Sequence, residues 1–364
     1  MYQHDTRTVV TLDAGGTNFV FGAMQSNKFI VEPITLPSLS DNLDSCLEQM
    51  VKGFEMVIAK LETTPVAISF AFPGPADYIN GIIGGYLPNF PSFRDGVALG
   101  PFLERRFGIP VYINNDGDLF AYGEALAGKL PEINQKVAKL GGTKKSRSLI
   151  GYTFGTGFGV GHVYDNTLHL GDNCCIETFC LRHKLDQNII CEDGVAVRAV
   201  KRVYAQESGS GEELEPKDIF DIAEGNRQGD QAAAIKAFAT MGQVAGSAMA
   251  SAASLLDGII VIGGGITAAK KYIMPALLEE LRSSIKTLSG DSVNLVQPKV
   301  YDLDQEDEIA QYAIGKARPI KIYGTDDYVN YDEEKRIGVA ISSIGASTAI
   351  SLGAYNYALS QIDK

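Results

Sequence analysis

The stretch "VVTLDAGGTNFVFGAM", Val9 to Met24, decides the fold of this 364-residue chain. The segment Thr8 to Leu12, which starts one residue before this stretch, is rich in β-branched residues, and that composition favours a buried strand. Gly15 and Gly16 then allow a tight turn, and Asn18 to Met24 has the pattern of a returning strand. The stretch therefore predicts a β-hairpin with a glycine tip, whose backbone N–H groups are suited to holding an anion.

Two further glycine-rich segments also follow strands. "GTGFG", Gly155 to Gly159, ends the strand Leu149 to Phe154 and predicts a second glycine-tipped hairpin. "GGG", Gly263 to Gly265, lies between a short buried strand and a helix. Strands and helices alternate along the chain, which indicates the α/β class. Each glycine segment alone also fits an ordinary turn, so their order along the chain carries the functional prediction.

A cluster of polar residues, "NNDGD", follows the strand "GIPVYI". Transfer of a phosphoryl group to an alcohol needs a carboxylate that takes the hydroxyl proton and orients the oxygen. Asp116 suits that role, and Asn115 is able to bind a neighbouring hydroxyl. Taken alone, the cluster fits a turn or a helix N-cap equally well.

The composition limits the classes of partner. The net charge of -12 argues against nucleic acid or an anionic membrane as the main partner. No apolar run reaches the roughly 18 residues of a membrane span, and the N-terminal residues do not resemble a signal peptide. The five cysteines are therefore expected to be reduced thiols in a cytoplasmic protein.

The order of these segments resembles the nucleotide cleft of the actin-like ATPase superfamily, which has a ribonuclease H-like fold. The segments "LDAGGTN", "FPGPADYINGIIGGYLPNF", "IPVYINNDGDLFAYGEALAG", "FGTGFGVG" and "VIGGGI" together resemble the ROK (repressor, open reading frame, kinase) family. The resemblance implies two α/β domains around a cleft for nucleotide and sugar. We expect the smaller domain to contain residues 1–117 and a C-terminal helix at 346–364. The larger would contain residues 118–345, with an acidic insertion at 302–338.

The resemblance also implies roles for individual residues. Asp116 would be the general base, and the sugar would be bound by Asn89, Asn115, Glu177 and Glu192. Mg²⁺ and ATP are the implied cofactor and co-substrate, because carboxylate oxygens such as that of Asp13 suit a hard cation. The residues implied to lie at the nucleotide are Asp13, Gly15, Gly16, Thr17, Asn18, Gly155, Thr156, Gly157, Gly264 and Gly265.

The segment "GDNCCIETFCLRHKLDQNIICEDG", Gly171 to Gly194, departs from the family pattern. Typical members carry "GE-x-GH" and then "C-x-C-G-x-x-G-C-x-E", whose histidine and three cysteines bind a structural zinc. Here Glu177 aligns with the first glutamate, and "LRHKLDQNII" replaces the cysteine cluster. Cys174, Cys175, Cys180, Cys191 and His183 remain as candidate ligands, but adjacent cysteines are poorly spaced for one tetrahedral ion. We therefore expect no structural zinc at this segment and expect thiols that pack as small apolar groups.

The resulting prediction is an ATP-dependent kinase that phosphorylates the 6-hydroxyl of glucose, a related hexose or an N-acetylhexosamine. A catalytically weak sugar sensor or regulator on the same fold is the alternative, since Glu177 and Glu192 also fit solvated loop acids. A filament-forming protein of this fold is a further alternative. The family resemblance implies a homodimer.

Overall fold

The computed structural model of the protein describes residues 1–74 and 76–364, and Pro75, within the segment "FPGP", lies outside the described residues. The described chain forms two compact units. The first consists of Met1–Gly128, Gly161–Ile176 and Ile344–Lys364, and the second of Lys129–Val160 and Glu177–Ser343. The predicted division into domains after residue 117 stays a prediction.

Strands and helices alternate along most of the chain, which confirms the predicted α/β class. The strands are β1 (Val9–Ala14), β2 (Asn18–Gln25), β3 (Lys28–Phe29), β4 (Ile34–Pro37), β5 (Ala67–Ala71), β6 (Ala76–Asp77), β7 (Ile82–Ile83), β8 (Val111–Asn114), β9 (Ser148–Phe154), β10 (Phe158–Tyr164), β11 (Thr167–Leu168), β12 (Ile259–Gly263), β13 (Ser284–Lys286), β14 (Ser292–Asn294), β15 (Lys299–Asp302), β16 (Ala317–Lys321), β17 (Tyr328–Asp332) and β18 (Arg336–Ile341). The α-helices are α1 (Leu43–Ile58), α2 (Leu99–Phe107), α3 (Asp116–Leu126), α4 (Lys129–Lys139), α5 (Val197–Ser208), α6 (Pro216–Ala223), α7 (Gln231–Leu256), α8 (Lys270–Leu281), α9 (Glu306–Ile314) and α10 (Ala346–Ile362). Single 3₁₀ segments cover Pro91–Phe93, Cys191–Gly194 and Gly265–Ala269.

The first unit contains a sheet in the order β3-β2-β1-β5-β8, with β4 also paired to β2. β1 and β2 form the antiparallel hairpin that the opening stretch predicts. β1, β5 and β8 run parallel, and their register places Asp13 beside Ala71 and Ala71 beside Asn114. Parallel strands end at one edge of a sheet, so the segments after Asp13 and Asn114 start from the same edge.

The two faces of this sheet bury different helices. Val10, Leu12, Ile68 and Phe70 point into a core that α1 completes with Met50 and other apolar residues at helical spacing. On the other side, α10 packs closely against α3 and the sheet. A Cβ atom placed on Gly353 in α10 would lie 1.9 Å from the backbone oxygen of Leu119, so this crossing requires glycine. The contact fixes α3, whose first residue is Asp116.

The second unit is built on a parallel sheet in the order β9-β12-β18-β15, and the first residues of β10 extend it beside β9. Its strands are buried on both faces. α7 packs along α8 and α5, and small alanine and glycine side chains allow the close approach. In the register, Gly263 lies beside Thr153, so the second and third glycine segments leave the same edge of the sheet.

The predicted acidic insertion is only partly an exposed element. β15, α9 and β18 carry buried residues and belong to the packed body of the second unit. β16 and β17 form a separate two-stranded hairpin that is exposed along nearly its whole length. None of the helices in the described part of the chain combines the length and the apolar character that a membrane span requires.

Candidate active site

The glycine turn of the first unit joins β1 to β2 and is closed by its own backbone. The Gly15 N–H donates to the Asn18 carbonyl at 3.1 Å, and a Cβ atom on Gly15 would lie 2.8 Å from that oxygen. Behind the turn, the Ser40 hydroxyl donates to the Gly16 carbonyl at 3.1 Å. Thr17 and Asn18 at the tip are exposed. The turn is thus held from behind while its tip faces solvent, which suits phosphate binding.

Asp13 precedes this turn at the end of β1. Its side chain is exposed by surface area, yet protein packed around the carboxyl removes part of its hydration. This desolvation raises the pKa of the Asp13 carboxyl above its ordinary value. A cation or its water ligand beside Asp13 would restore the lost solvation of the charge, so the position fits an oxygen-ligated cation.

Asn89 lies directly against the same turn. A Cβ atom on Gly16 would be 2.8 Å from the Asn89 Cβ and 3.3 Å from the Asn89 carbonyl oxygen. Only glycine leaves room for this contact. The structure therefore packs Asn89, a predicted sugar-binding residue, against Gly16, a predicted phosphate-binding residue. Asn89 is also exposed.

Asp116 is the first residue of α3, directly after the predicted substrate residue Asn115. The Asn115 Oδ1 atom caps the helix by accepting the Gly117 N–H at 2.8 Å, and Asp116 Oδ1 accepts the same N–H at 2.9 Å. The Asn115 amide donates to the Tyr78 hydroxyl at 3.4 Å. Asp116 is exposed at the first turn of the helix. An exposed and oriented carboxylate is what a general base requires.

The second unit holds the other glycine turn, which joins β9 to β10. The Gly155 N–H donates to the Gly157 carbonyl at 3.2 Å, and the Gly155 carbonyl accepts the Val197 N–H at 2.9 Å. Glu192 Oε2 accepts the Phe158 N–H at 2.9 Å. A Cβ atom on Gly157 would lie 3.1 Å from that oxygen. Thr156, at the tip, is exposed.

Gly264 lies against the end of β9 and connects the second and third glycine segments. Its φ of +101° is in the region that favours glycine, and a Cβ atom there would lie 2.2 Å from the Phe154 carbonyl oxygen. The Gly264 carbonyl accepts both the N–H and the hydroxyl of Thr267, at 3.1 and 2.7 Å. The neighbouring Gly265 has open space instead, since a Cβ atom added there would meet no atom within 4 Å.

The segments that carry Glu177 and Glu192 are held together by backbone hydrogen bonds. The Cys191 N–H donates to the Leu181 carbonyl at 2.7 Å, and the Glu192 N–H donates to the Phe179 carbonyl at 3.2 Å. Both glutamates are half-buried. The structure thus brings the two predicted sugar-binding segments into one substructure of the second unit. The Glu192 carboxylate is already bound there, by Phe158 and by Arg198.

His183 organises the segment that stands in place of the family's zinc cluster. It is 6% exposed, and its Nδ1 atom accepts the N–H groups of Leu185 and Asp186 at 3.1 and 3.2 Å. A Cβ atom on Gly194 would lie 2.3 Å from the His183 Nε2 atom. The turn is therefore closed by a neutral imidazole that packs against glycine. We name His183, Leu185, Asp186 and Gly194 the His183 knot.

The candidate zinc ligands are divided between the two units. Cys174 and Cys175 belong to the first unit, whereas Cys180, His183 and Cys191 belong to the second. The Cys191 thiol donates to the Thr178 carbonyl at 2.9 Å, and burial raises its pKa to about 12. Among residues 1–74 and 76–364, no group of three or more His, Cys, Asp and Glu side chains is arranged to hold a metal ion.

The His183 knot makes stability depend on pH. Burial, and then the charge of Arg202, lower the pKa of His183, while Asp186 and Asp193 oppose the shift. The unfolded chain binds a proton at His183 near pH 6.5 and the folded chain only below that. The contribution of His183 to the free energy of unfolding should therefore be complete above pH 6.5. It should be lost as the pH falls from 6.5 through the lowered pKa.

The variant His183→Asn separates this effect from other titrations. An asparagine oxygen replaces Nδ1 as acceptor but does not titrate. We expect the wild type to lose about 1 kcal/mol more than the variant between pH 7 and pH 5, below the limit of about 2 kcal/mol that one histidine with an unfolded pKa near 6.5 sets over this range. Urea denaturation followed by circular dichroism at each pH measures the difference. Parallel pH profiles for the two proteins would contradict the role of His183.

Two residues, one in each unit, contact predicted site residues but have no signal in the sequence. Tyr78 orients Asn115, and its hydroxyl donates to the Phe72 carbonyl at 2.8 Å. Arg198 bonds Glu192 and the Thr156 carbonyl. Each residue contacts partners whose separation along the chain matches no known motif. A single tyrosine or arginine is also not a motif by itself.

Known proteins resemble this chain in both sequence and structure. The family model described as the ROK family matches residues 9–302. The glucokinase of Thermotoga maritima is 26% identical over 75% of this chain and 86% of that protein. A crystal structure of glucokinase from Parabacteroides distasonis is 54% identical, covers 99% of both chains and has a TM-score of 0.91. A Streptomyces griseus ROK family glucokinase, in complex with glucose and AMPPNP, is 17% identical, covers 96% of this chain and 98% of that chain, and has a TM-score of 0.62. These likenesses confirm the predicted actin-like ATPase fold.

Proposed function

This chain belongs to the ROK family, and from that premise we propose that it transfers the γ-phosphate of ATP to the 6-hydroxyl of a hexose. The matches to glucokinases cover most of both chains, so it is a kinase of the hexokinase type. The finer assignment is supported by one observation above all. Asp116 is exposed at the start of α3, beside its capping residue Asn115.

The proposed reaction is a direct in-line displacement. The sugar hydroxyl oxygen forms a bond to the γ-phosphorus while the bond from that phosphorus to the bridging oxygen of ADP breaks. The hydroxyl proton passes to the Asp116 carboxylate. Because the sugar oxygen must be aligned as well as deprotonated, the rigid start of α3 contributes by orienting the base.

The residues of the first unit fit the cation that such kinases use. Asp13 offers a carboxylate whose charge has lost part of its hydration, and the adjacent glycine turn offers N–H groups for phosphate oxygens. When bound, Mg²⁺ would neutralise phosphate charge. In the second unit, Gly155, Thr156 and Gly157 would contact phosphate, and Gly264 and Gly265 would lie near the adenosine.

Sugar recognition is proposed for Asn89, Asn115, Glu177 and Glu192. Amide and carboxylate groups of this kind discriminate well, because a sugar that lacks the matching hydroxyl leaves them unpaired. Glucose and an N-acetylhexosamine both remain candidate substrates. The expected homodimer stays a prediction, which size-exclusion chromatography with light scattering tests.

A catalytically weak sugar sensor is the second candidate, because the segment "LRHKLDQNII" departs from the family's zinc pattern and one predicted sugar ligand is already engaged. Both oxygens of the Glu192 carboxylate already have partners inside the second unit, Phe158 and Arg198. A sugar hydroxyl would share or displace one of them. A sensor needs only to bind sugar, whereas a kinase also needs Asp116 and both glycine turns.

A coupled ADP-release assay over a sugar panel tests the proposed kinase. The panel contains glucose, mannose, fructose, N-acetylglucosamine and N-acetylmannosamine, each with Mg-ATP. We expect at least one hexose to raise ADP release over the sugar-free rate by about a hundredfold or more. Sugar binding in calorimetry, without any stimulated ADP release across the panel, would favour the sensor.

A further inference from the structure

Arg198 connects the second glycine turn to a segment far from it in the sequence. Its Nη1 atom donates to the Thr156 carbonyl at 3.3 Å and its Nη2 atom to Glu192 Oε1 at 2.7 Å. Its Nε atom donates to Asp193 Oδ1 at 2.7 Å. The side chain is 46% exposed and that of Glu192 is 22% exposed. One guanidinium therefore joins the turn to two carboxylates near the protein surface.

Glu192, which Arg198 binds, also bonds the backbone on the other side of the turn. Its Oε2 atom accepts the Phe158 N–H at 2.9 Å, while Arg198 reaches the Thr156 carbonyl. The residue between them, Gly157, has space for no large group, because a Cβ atom would lie 3.1 Å from Glu192 Oε2. The backbone is thus held both before and after Gly157 by a single ion pair.

We infer that Arg198 is a positioning residue that sets the Gly155–Gly159 turn for an ATP phosphate and acts through Glu192. The inference rests on the proposed function, in which this turn contacts phosphate. Arg198 reaches its three acceptors through three different nitrogens of a planar fork, whereas the three donors of a lysine ammonium share a single nitrogen. It also balances the negative charge of Glu192, which would otherwise repel a phosphate at the turn.

Isothermal titration calorimetry with Mg-ATP, in the absence of sugar, tests this role. We expect Arg198→Gln to weaken Mg-ATP binding about tenfold, the size of one lost charged hydrogen bond. Arg198→Lys should fall between that variant and the wild type. The matched control is Arg202→Gln on the same helix, whose guanidinium bonds the Asp193 carbonyl instead of the turn. We expect it to bind within about twofold of the wild type.

The double variant Glu192→Gln with Arg198→Gln distinguishes the charge balance that Arg198 provides at the turn from general stabilisation. The glutamine keeps an oxygen for the Phe158 N–H but removes the charge that Arg198 balances. We expect the double variant to bind Mg-ATP about threefold more tightly than Arg198→Gln alone. A double variant as weak as the single one, or unchanged binding in Arg198→Gln, would overturn the inference.

The same experiments separate this inference from the proposed kinase. A wild type that binds Mg-ATP but turns over no sugar refutes the proposed kinase. The Arg198 inference is then decided by the Mg-ATP affinities of the Arg198 variants alone. Sugar turnover by a wild type whose Mg-ATP affinity is the same in Arg198→Gln refutes the Arg198 inference alone. A wild type that binds no Mg-ATP contradicts both.

Discussion

Replacing Asp116 by asparagine should lower kcat for sugar phosphorylation by about a thousandfold, within the range of a lost general base. The Kd for the sugar should change by less than about threefold, because a neutral amide still offers hydrogen bonds to a hydroxyl. The fold should survive. An asparagine oxygen is able to accept the Gly117 N–H that Asp116 Oδ1 accepts at 2.9 Å. The lost helix-dipole interaction amounts to about 0.3–1 kcal/mol.

The coupled ADP-release assay gives kcat, and calorimetry gives the sugar Kd. Asp44→Asn is the matched control, since Asp44 is also an acid in the first turn of a helix of the first unit. We expect this control to keep full activity. An Asp116→Asn variant with near-normal kcat would show that another group takes the proton.

The position of Asp116 illustrates what the sequence predicts well. Strand patterns identified the ends of β1 and β8, and the register shows that these strands and β5 run parallel. The sequence patterns placed Asp13 and Asp116 after two separate strands, and the parallel register brings the ends of those strands to one edge of the sheet. The glycine turns were predictable for the same reason, because each is encoded by consecutive residues.

Contacts between segments that are distant in the chain could not be predicted from the sequence. The segment "LRHKLDQNII" departs from the family's zinc pattern, but no rule indicated that His183 would accept two backbone N–H groups. The pairing of Glu192 with Arg198 and Phe158 likewise depends on how the segment folds back onto the turn. Glu192 was predicted as a sugar ligand from its alignment alone, and its bond to the turn adds a structural role.

The "GGG" segment shows a further limit, since its pattern treats Gly264 and Gly265 alike. The structure distinguishes them. Gly264 has a φ of +101° and approaches the Phe154 carbonyl, whereas Gly265 has open space around the position of a side chain. Conformation and space, which a run of identical letters does not encode, decide which glycine is required.

Replacing Gly264 by alanine should therefore lower the free energy of unfolding by about 3–5 kcal/mol. The new methyl group would lie 2.2 Å from the Phe154 carbonyl oxygen, which belongs to a buried strand and has little freedom to move. Backbone strain at the positive φ adds to the clash. Urea denaturation followed by circular dichroism measures the change. Mg-ATP binding should also weaken, because Gly264 lies against Phe154, the last residue of β9 before the Gly155–Gly159 turn.

Gly265→Ala is the matched control, one residue along the same turn. With no atom within 4 Å of its Cβ position, it should change the free energy of unfolding by less than about 0.5 kcal/mol. The two variants add the same methyl group, so the difference between them measures the approach of Gly264 to β9. An insoluble Gly264→Ala beside a folded Gly265→Ala would also support the steric clash. Equal stability in the two variants would contradict it, since the clash at Gly264 would then be relieved at no cost by movement of β12.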